Sequence, residues 1–171
     1  MKLLLLIGCF LLSNYHTVGQ IAVSIKITQT ASYCGGAAPP PDLIEQFNTP
    51  APLADKVIYL RKGKTNHTGR KTIQLKSDAN GDISATLKPG FYAVVDETKK
   101  DRAYYNILRK RFSKPVENYG DLDTACLNTW LQTPQQVIEV AADKTIFYVN
   151  FHQPCHWNAI PCVQYTGPMP P

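Results

Sequence analysis

Near the carboxyl end, His152, Cys155, His156 and Cys162 bring two imidazoles and two thiols into a short span. Soft sulfur and imidazole donors at such spacing are the ligand types of a zinc or copper site. The same sulfurs have a competing use. Of the five cysteines, Cys9 lies in an amino-terminal apolar run, which leaves Cys34, Cys126, Cys155 and Cys162. An even number in an exported chain favours two disulfides, with three possible connectivities that the sequence does not distinguish. Pro154 and Pro161 and an oxidising compartment favour disulfides over metal, because free thiolates rarely survive export unoccupied. No cofactor is expected.

The second chemical feature is charge. The formal charge is +5, and its source is local. Between positions 99 and 114, Lys99, Lys100, Arg102, Arg109, Lys110, Arg111 and Lys114 face only Asp101. Arg102, Tyr104, Tyr105, Arg109, Lys110 and Arg111 combine cations with flat aromatic surfaces, a mix suited to an anionic glycan, a cell-envelope component or the acidic face of another protein. Export argues against nucleic acid as a partner. A purely structural reading also accounts for part of the segment: Tyr104, Ile107, Leu108 and Phe112 have the spacing of a helix face packed on the rest of the protein.

Other constellations have simpler explanations. Asp78, Asn80 and Asp82 resemble the opening of a calcium loop, but the twelfth position is Pro89 rather than a bidentate Glu, and Gly81 is too early for the bend. Paired carboxylates at Asp121 and Asp123 suit helix capping. There is no Gly-x-Ser-x-Gly elbow, His-Glu-x-x-His helix or Gly-rich phosphate loop, so no hydrolase is indicated. Asn66-His67-Thr68 is formally a glycosylation sequon.

The elements that must position these residues are mostly strands. Residues 1–19 read as a secretory signal, with Lys2 before an apolar run too short to span a bilayer and a small residue before Gln20. Leu6-Ile7-Gly8-Cys9 resembles a lipobox, with too little apolar sequence ahead of it to make lipidation of Cys9 the preferred reading. Export of this kind places the chain outside the cell, in a periplasm or at a cell surface. Ile21, Val23, Ile25 and Ile27 alternate with polar or small residues as a first strand, and Val57, Tyr59 and Arg61 alternate with Ile58 and Leu60 as a second. Residues 71–77, 83–88 and 91–96 read as a three-stranded antiparallel meander turned at Asn80-Gly81, as a type I′ hairpin, and at Pro89-Gly90. Residues 137–141 and 147–151 supply a sixth and a seventh strand. Short helices are predicted around 42–47, capped by Asp42, over 101–112, and over 121–131.

If successive strands run antiparallel, the loop 31–54, the insertion 97–135 and the Pro-rich tail 153–171 all leave the domain (20–152) at one pole. All four remaining cysteines lie in those segments. Stapling such loops restricts their unfolded freedom, at about 2–4 kcal/mol per bridge.

The strand PLADKVIYLRKG followed by SDANGDISATLKPGFYAVVDE resembles the carboxypeptidase regulatory-like and transthyretin-like (prealbumin-like) domains of exported bacterial proteins. The resemblance covers roughly residues 20–97 and 136–151. It implies an all-β fold, a seven-stranded antiparallel Greek-key β-sandwich, and the chain departs from that pattern by a short helical insertion between the fifth and sixth strands, since residues 98–135 do not match it. The resemblance also implies a non-catalytic binding module. Some pilin-type sandwiches in this broad class carry a Lys–Asn isopeptide bond, and Lys26 and Asn150 occupy comparable places. The pleat turns both side chains away from the apolar face, which excludes a buried bond.

Overall fold

In the computed structural model, which describes residues 19–169, the alternation in the sequence becomes two packed sheets. Strand β1 (Ile21–Ala31) turns Val23, Ile25 and Ile27 inward. Facing them are Ile58 and Leu60 of β3 (Val57–Lys62), Tyr92 and Val94 of β6 (Gly90–Val95), and Ile138 and Val140 of β7 (Gln136–Val140). Phe147, Val149 and Phe151 of β8 (Ile146–Gln153), with Ile83 and Leu87 of β5 (Asp82–Leu87), complete this core. Each fully buried aliphatic or aromatic side chain contributes roughly 1.5–3 kcal/mol.

One sheet has β1 at its centre, flanked on one edge by β5 and the two-residue β2 (Ala51–Pro52) and on the other by β8. The other sheet runs β4 (Thr72–Lys76), β3, β6, β7. An all-β sandwich is therefore present, with three departures from expectation. Among the described residues the strands number eight, because Ala51-Pro52 adds a short edge strand beside Thr28 and Gln29. β1 and β8 pair in parallel, with Ser24 opposite Ile146 and Ala31 opposite Gln153, so the sandwich is not antiparallel throughout. The expected meander is also split, since β4 and β6 belong to one sheet and β5 to the other.

The turn at Asn80-Gly81 explains that split. Gly81 has φ +80, but Asn80 does not take the positive φ that a type I′ hairpin needs at both central residues. Instead the Asp78 carboxylate accepts from the backbone N–H of Asn80 and of Asp82, each at 2.8 Å. This Asx turn carries the chain across the sandwich rather than back along one sheet. The Gly81 carbonyl then accepts from Ile27 N–H at 2.7 Å, which seats the corner against β1. A Cβ at Gly81 would run into the Ile27 carbonyl.

Three helices fill the connections. Helix α1 (Pro41–Asn48) starts with Pro41 at its first position and no side-chain cap, so Asp42 lies inside the first turn and is not the predicted cap. Helix α2 (Ala103–Arg111) and helix α3 (Thr124–Gln132) occupy the insertion. Of the two carboxylates suited to capping α3, Asp121 and Asp123, it is Asp123 that accepts from Ala125 and Cys126 N–H at 2.9 Å each. Tyr105, Leu108, Leu127 and Leu131 form a second small core with Phe112, Trp130, Ile160 and Cys162 packed against it. Among the described residues no helix is long and apolar enough to cross a membrane. The signal segment and Cys9 lie outside the described residues, apart from Gly19.

The outer face of the β4-β3-β6-β7 sheet is buried at its two central strands, β3 and β6. Tyr59, Ala93 and Val95 point outward from it and still lie out of solvent. Arg61 is 2% exposed and Asn66 only 1%. The β3–β4 loop folds back so that the Asn66 carbonyl oxygen accepts from Arg61 Nη1, while Arg61 Nη2 donates to the Lys100 carbonyl. Asn66 Nδ2 donates to the Lys99 carbonyl at 2.8 Å and the Leu131 carbonyl at 2.7 Å, and its backbone N–H to Gln132 O at 2.8 Å. One buried amide thus ties a loop of the sheet to both ends of the insertion. The sequon at Asn66 is correspondingly unavailable for glycan attachment in the folded chain.

Candidate binding surface

Two disulfides join the segments predicted to share a pole. Cys34–Cys155 links the loop after β1 to the tail after β8, and Cys126–Cys162 links α3 to the same tail. The tail is thereby fixed to both neighbours. Loops containing Gly35-Gly36, Pro39-Pro40-Pro41 and Pro154 bury little apolar surface, so covalent ties are a fitting way to hold them. The same pairing removes Cys155 and Cys162 as thiolate ligands, which corrects the alternative metal set.

The two histidines of that set have other roles. On His152, Nδ1 is 3.1 Å from Thr30 Oγ1 and Nε2 is 2.8 Å from Ser32 Oγ, so both ring nitrogens already face hydroxyls. His156 packs edge-on between Trp157 and Tyr165. Among the described residues no cluster of three or more His, Cys, Asp or Glu side chains is arranged to hold a metal.

Between β8, the insertion and the tail lies a depression of about 420 Å3, lined by Asp96, Lys99, Tyr104, Trp130, His152 and Asn158 among others. The rings of Tyr104 and Trp130 lie 5.9 Å apart and tilted. Lys99 Nζ sits 4.7 Å from the centre of the Trp130 ring and donates to the Thr133 carbonyl at 3.0 Å. Burial lowers the pKa of Lys99, with the Asp96 charge pulling the other way. Asp96 caps the 3-10 turn Glu97–Lys99 by accepting from Thr98 N–H at 2.9 Å, and it pairs with Lys56 at 2.5 Å. Burial pushes the Asp96 carboxyl up, but the bonds from Lys56 and Thr98 outweigh it and hold the pKa below its ordinary value. The floor of the depression is therefore a set of mutually satisfied groups flanked by two aromatic faces.

The six residues singled out for binding separate into two groups. Arg102, Arg109, Lys110 and Arg111 are exposed on and beside α2. Tyr104 lines the depression, whereas Tyr105 is 4% exposed and belongs to the small core. Tyr105 still bears on the surface, since the Arg102 guanidinium lies 4.4 Å and that of Arg109 6.0 Å from its ring centre. Arg111 lies 5.3 Å from the Phe112 ring and 5.7 Å from that of Tyr119. Among the described residues none of these four cations has a carboxylate within salt-bridge distance. The expected helix packing holds for Leu108, while Ile107 is 59% exposed. Lys26 and Asn150 also point away from the core, as the pleat requires: Lys26 pairs with Asp82 at 3.1 Å, and Asn150 meets Thr28 and Thr30 at 3.0 Å each.

Neither the place of Trp130 in the depression nor the buried Arg61–Asn66 pair is legible in the sequence. Trp130 carries no local signal that ties it to Tyr104, which lies on a different helix, and Asn66 has only a sequon as its local signal.

No family model matches the chain, and no curated protein matches it. Among solved structures it is similar to the major pilin subunit BcpA of Bacillus cereus, at 13% identity and a TM-score of 0.33. The match covers 77% of this chain and 28% of the pilin. A likeness this slight carries no weight for details of fold or for function.

Proposed function

We propose that this chain is a non-catalytic, exported binding module of the carboxypeptidase regulatory-like, transthyretin-like type, with a Greek-key β-sandwich as scaffold. Its ligand is an anionic glycan of the cell envelope, held by the basic surface of α2 beside the disulfide-stapled pole. One observation carries the reading: Arg102, Arg109 and Arg111 are laid over aromatic rings and left without carboxylate partners. A guanidinium stacked on a ring keeps its in-plane N–H donors free and loses little side-chain entropy on binding an anion. Arginines meant only for solubility have no need of such placement. The two disulfides fit the oxidising compartment that this role requires.

The test is binding of the intact protein to a polyuronate or sulfated polysaccharide at two salt concentrations. Replacing Arg109, Lys110 and Arg111 together by Gln removes three charges worth roughly 0.5–1 kcal/mol each, a weakening of about 10- to 100-fold. The loss should shrink at high salt. Absence of binding above background by the unaltered protein would sink the proposal, as would binding that the triple substitution leaves unchanged.

A further inference from the structure

Tyr104 and Trp130 pack against the small core yet stay half-exposed, and both line the depression between β8, the insertion and the tail. Its volume of about 420 Å3 lies within the roughly 300–1,000 Å3 of small-molecule sites, which pair aromatic walls with a few orienting polar groups. The polar groups here are not equivalent. Asp96 is already matched by Lys56. Lys99 Nζ donates to the Thr133 carbonyl at 3.0 Å and lies 4.7 Å from the Trp130 ring centre, and among the described residues it has no carboxylate within salt-bridge distance. An ammonium carries three donors, so two remain for a ligand beside the rings. Burial disfavours the Lys99 charge, and an anion placed against it would restore that loss.

Two further groups stand open at the rim. Gln135 uses Nε2 on the Asn150 carbonyl, which leaves its Oε1 atom as an acceptor, and among the described residues the Asn158 side chain makes no hydrogen bond. Together these features ask for a carboxylate at Lys99, an apolar ring face at the aromatic pair, and hydroxyls, each donor and acceptor, at Gln135 and Asn158. An acidic peptide side chain brings the carboxylate without the ring. A neutral sugar brings the ring and hydroxyls without the charge.

We infer that the depression is a subsite for one uronic acid residue of a glycan, with its ring against Tyr104 and Trp130 and its carboxylate on Lys99. The inference takes the class of polymer from the anionic-glycan reading above and adds where one of its residues is recognised. Tyr104 lies in the first turn of α2, so the subsite adjoins the helix that carries Arg109 and Arg111, and one glycan chain can engage both.

Trp157→Phe leaves Trp130 as the single tryptophan of the chain, and its fluorescence then reports the depression. Trigalacturonate should shift that signal saturably, and its methyl ester and triglutamate should bind at least about 10-fold more weakly, since one lacks the charge and the other the ring. Lys99→Gln keeps a donor for the Thr133 carbonyl and should weaken trigalacturonate at least about 10-fold, as should Tyr104→Ala. Lys144→Gln, in the turn at the other end of β8, removes the same charge and should change nothing. No response to trigalacturonate up to about 10 mM overturns the inference, and so does equal binding of the ester or of triglutamate. If a polyuronate binds and only the triple substitution on α2 weakens it, the subsite falls and the α2 surface stands. If Lys99→Gln and Tyr104→Ala weaken it and the triple substitution does not, the subsite stands and the α2 surface falls.

Discussion

Replacing Asn66 by Ala tests most directly how the insertion is held. The side chain makes three hydrogen bonds, two donated to the carbonyls of Lys99 and Leu131 and one accepted from Arg61. Its backbone bond to Gln132 survives the substitution. Two neutral bonds contribute about 0.5–1.5 kcal/mol each and the charge-assisted one about 1.5–3 kcal/mol, while the stranded carbonyls and guanidinium stay buried. The expected loss is about 3–5 kcal/mol, read from urea unfolding with both disulfides intact. Arg61 sharpens the test, because it is buried without a carboxylate partner and its Nε lacks any hydrogen bond. Burial lowers its pKa, with Asp101 opposing. Arg61→Met removes that desolvated cation but leaves the Asn66 amide oxygen and the Lys100 carbonyl without their donor, so by itself it should cost about 1–3 kcal/mol. In a chain already carrying Arg61→Met, the Asn66→Ala loss should then fall by about 1.5–3 kcal/mol. A loss below about 1 kcal/mol for Asn66→Ala alone, or strict additivity of the two changes, would refute the buried-amide argument.

Two further outcomes follow from the same geometry. The bridges close spans of 121 and 36 residues, for which loop entropy gives about 5 and about 4 kcal/mol when each is considered alone. Paired Cys→Ala variants should therefore rank Cys34/Cys155 as the more costly removal in urea, and the reverse order would contradict the loop-closure account. Asp96 has a lowered folded pKa, so its contribution is present above the unfolded value of about 4 and lost as pH falls through the folded one. Unfolding free energy should drop more steeply below about pH 4 for the unaltered chain than for Asp96→Asn, and identical slopes would remove Asp96 from that transition.

Much of the fold was legible because strand alternation is a local property. Val23, Ile25 and Ile27 face inward as their spacing requires, and so do Phe147, Val149 and Phe151. A carboxylate cap on α3, at Asp121 or Asp123, and the use of Cys34, Cys126, Cys155 and Cys162 in disulfides were likewise readable from residue type and position. Less was legible where one local pattern served two tertiary arrangements. Residues 71–96 alternate equally well as one meander or as strands divided between two sheets. Only the Asx turn at Asp78, seated against Ile27, decides for the second.

The sequence alone therefore determined which faces of the strands are apolar, where the chain turns and which segments bear charge, since these depend on neighbours a few residues apart. Tertiary structure decided what covers those faces. Tyr59 and Arg61 have the spacing of an outward-facing set, and they are buried because a distant insertion lies over them, held by Asn66. The parallel register of β8 on β1 and the partner of each cysteine are long-range in the same sense. Such contacts join elements whose sequence separation leaves no periodic trace, and so they appear only when the chain is folded.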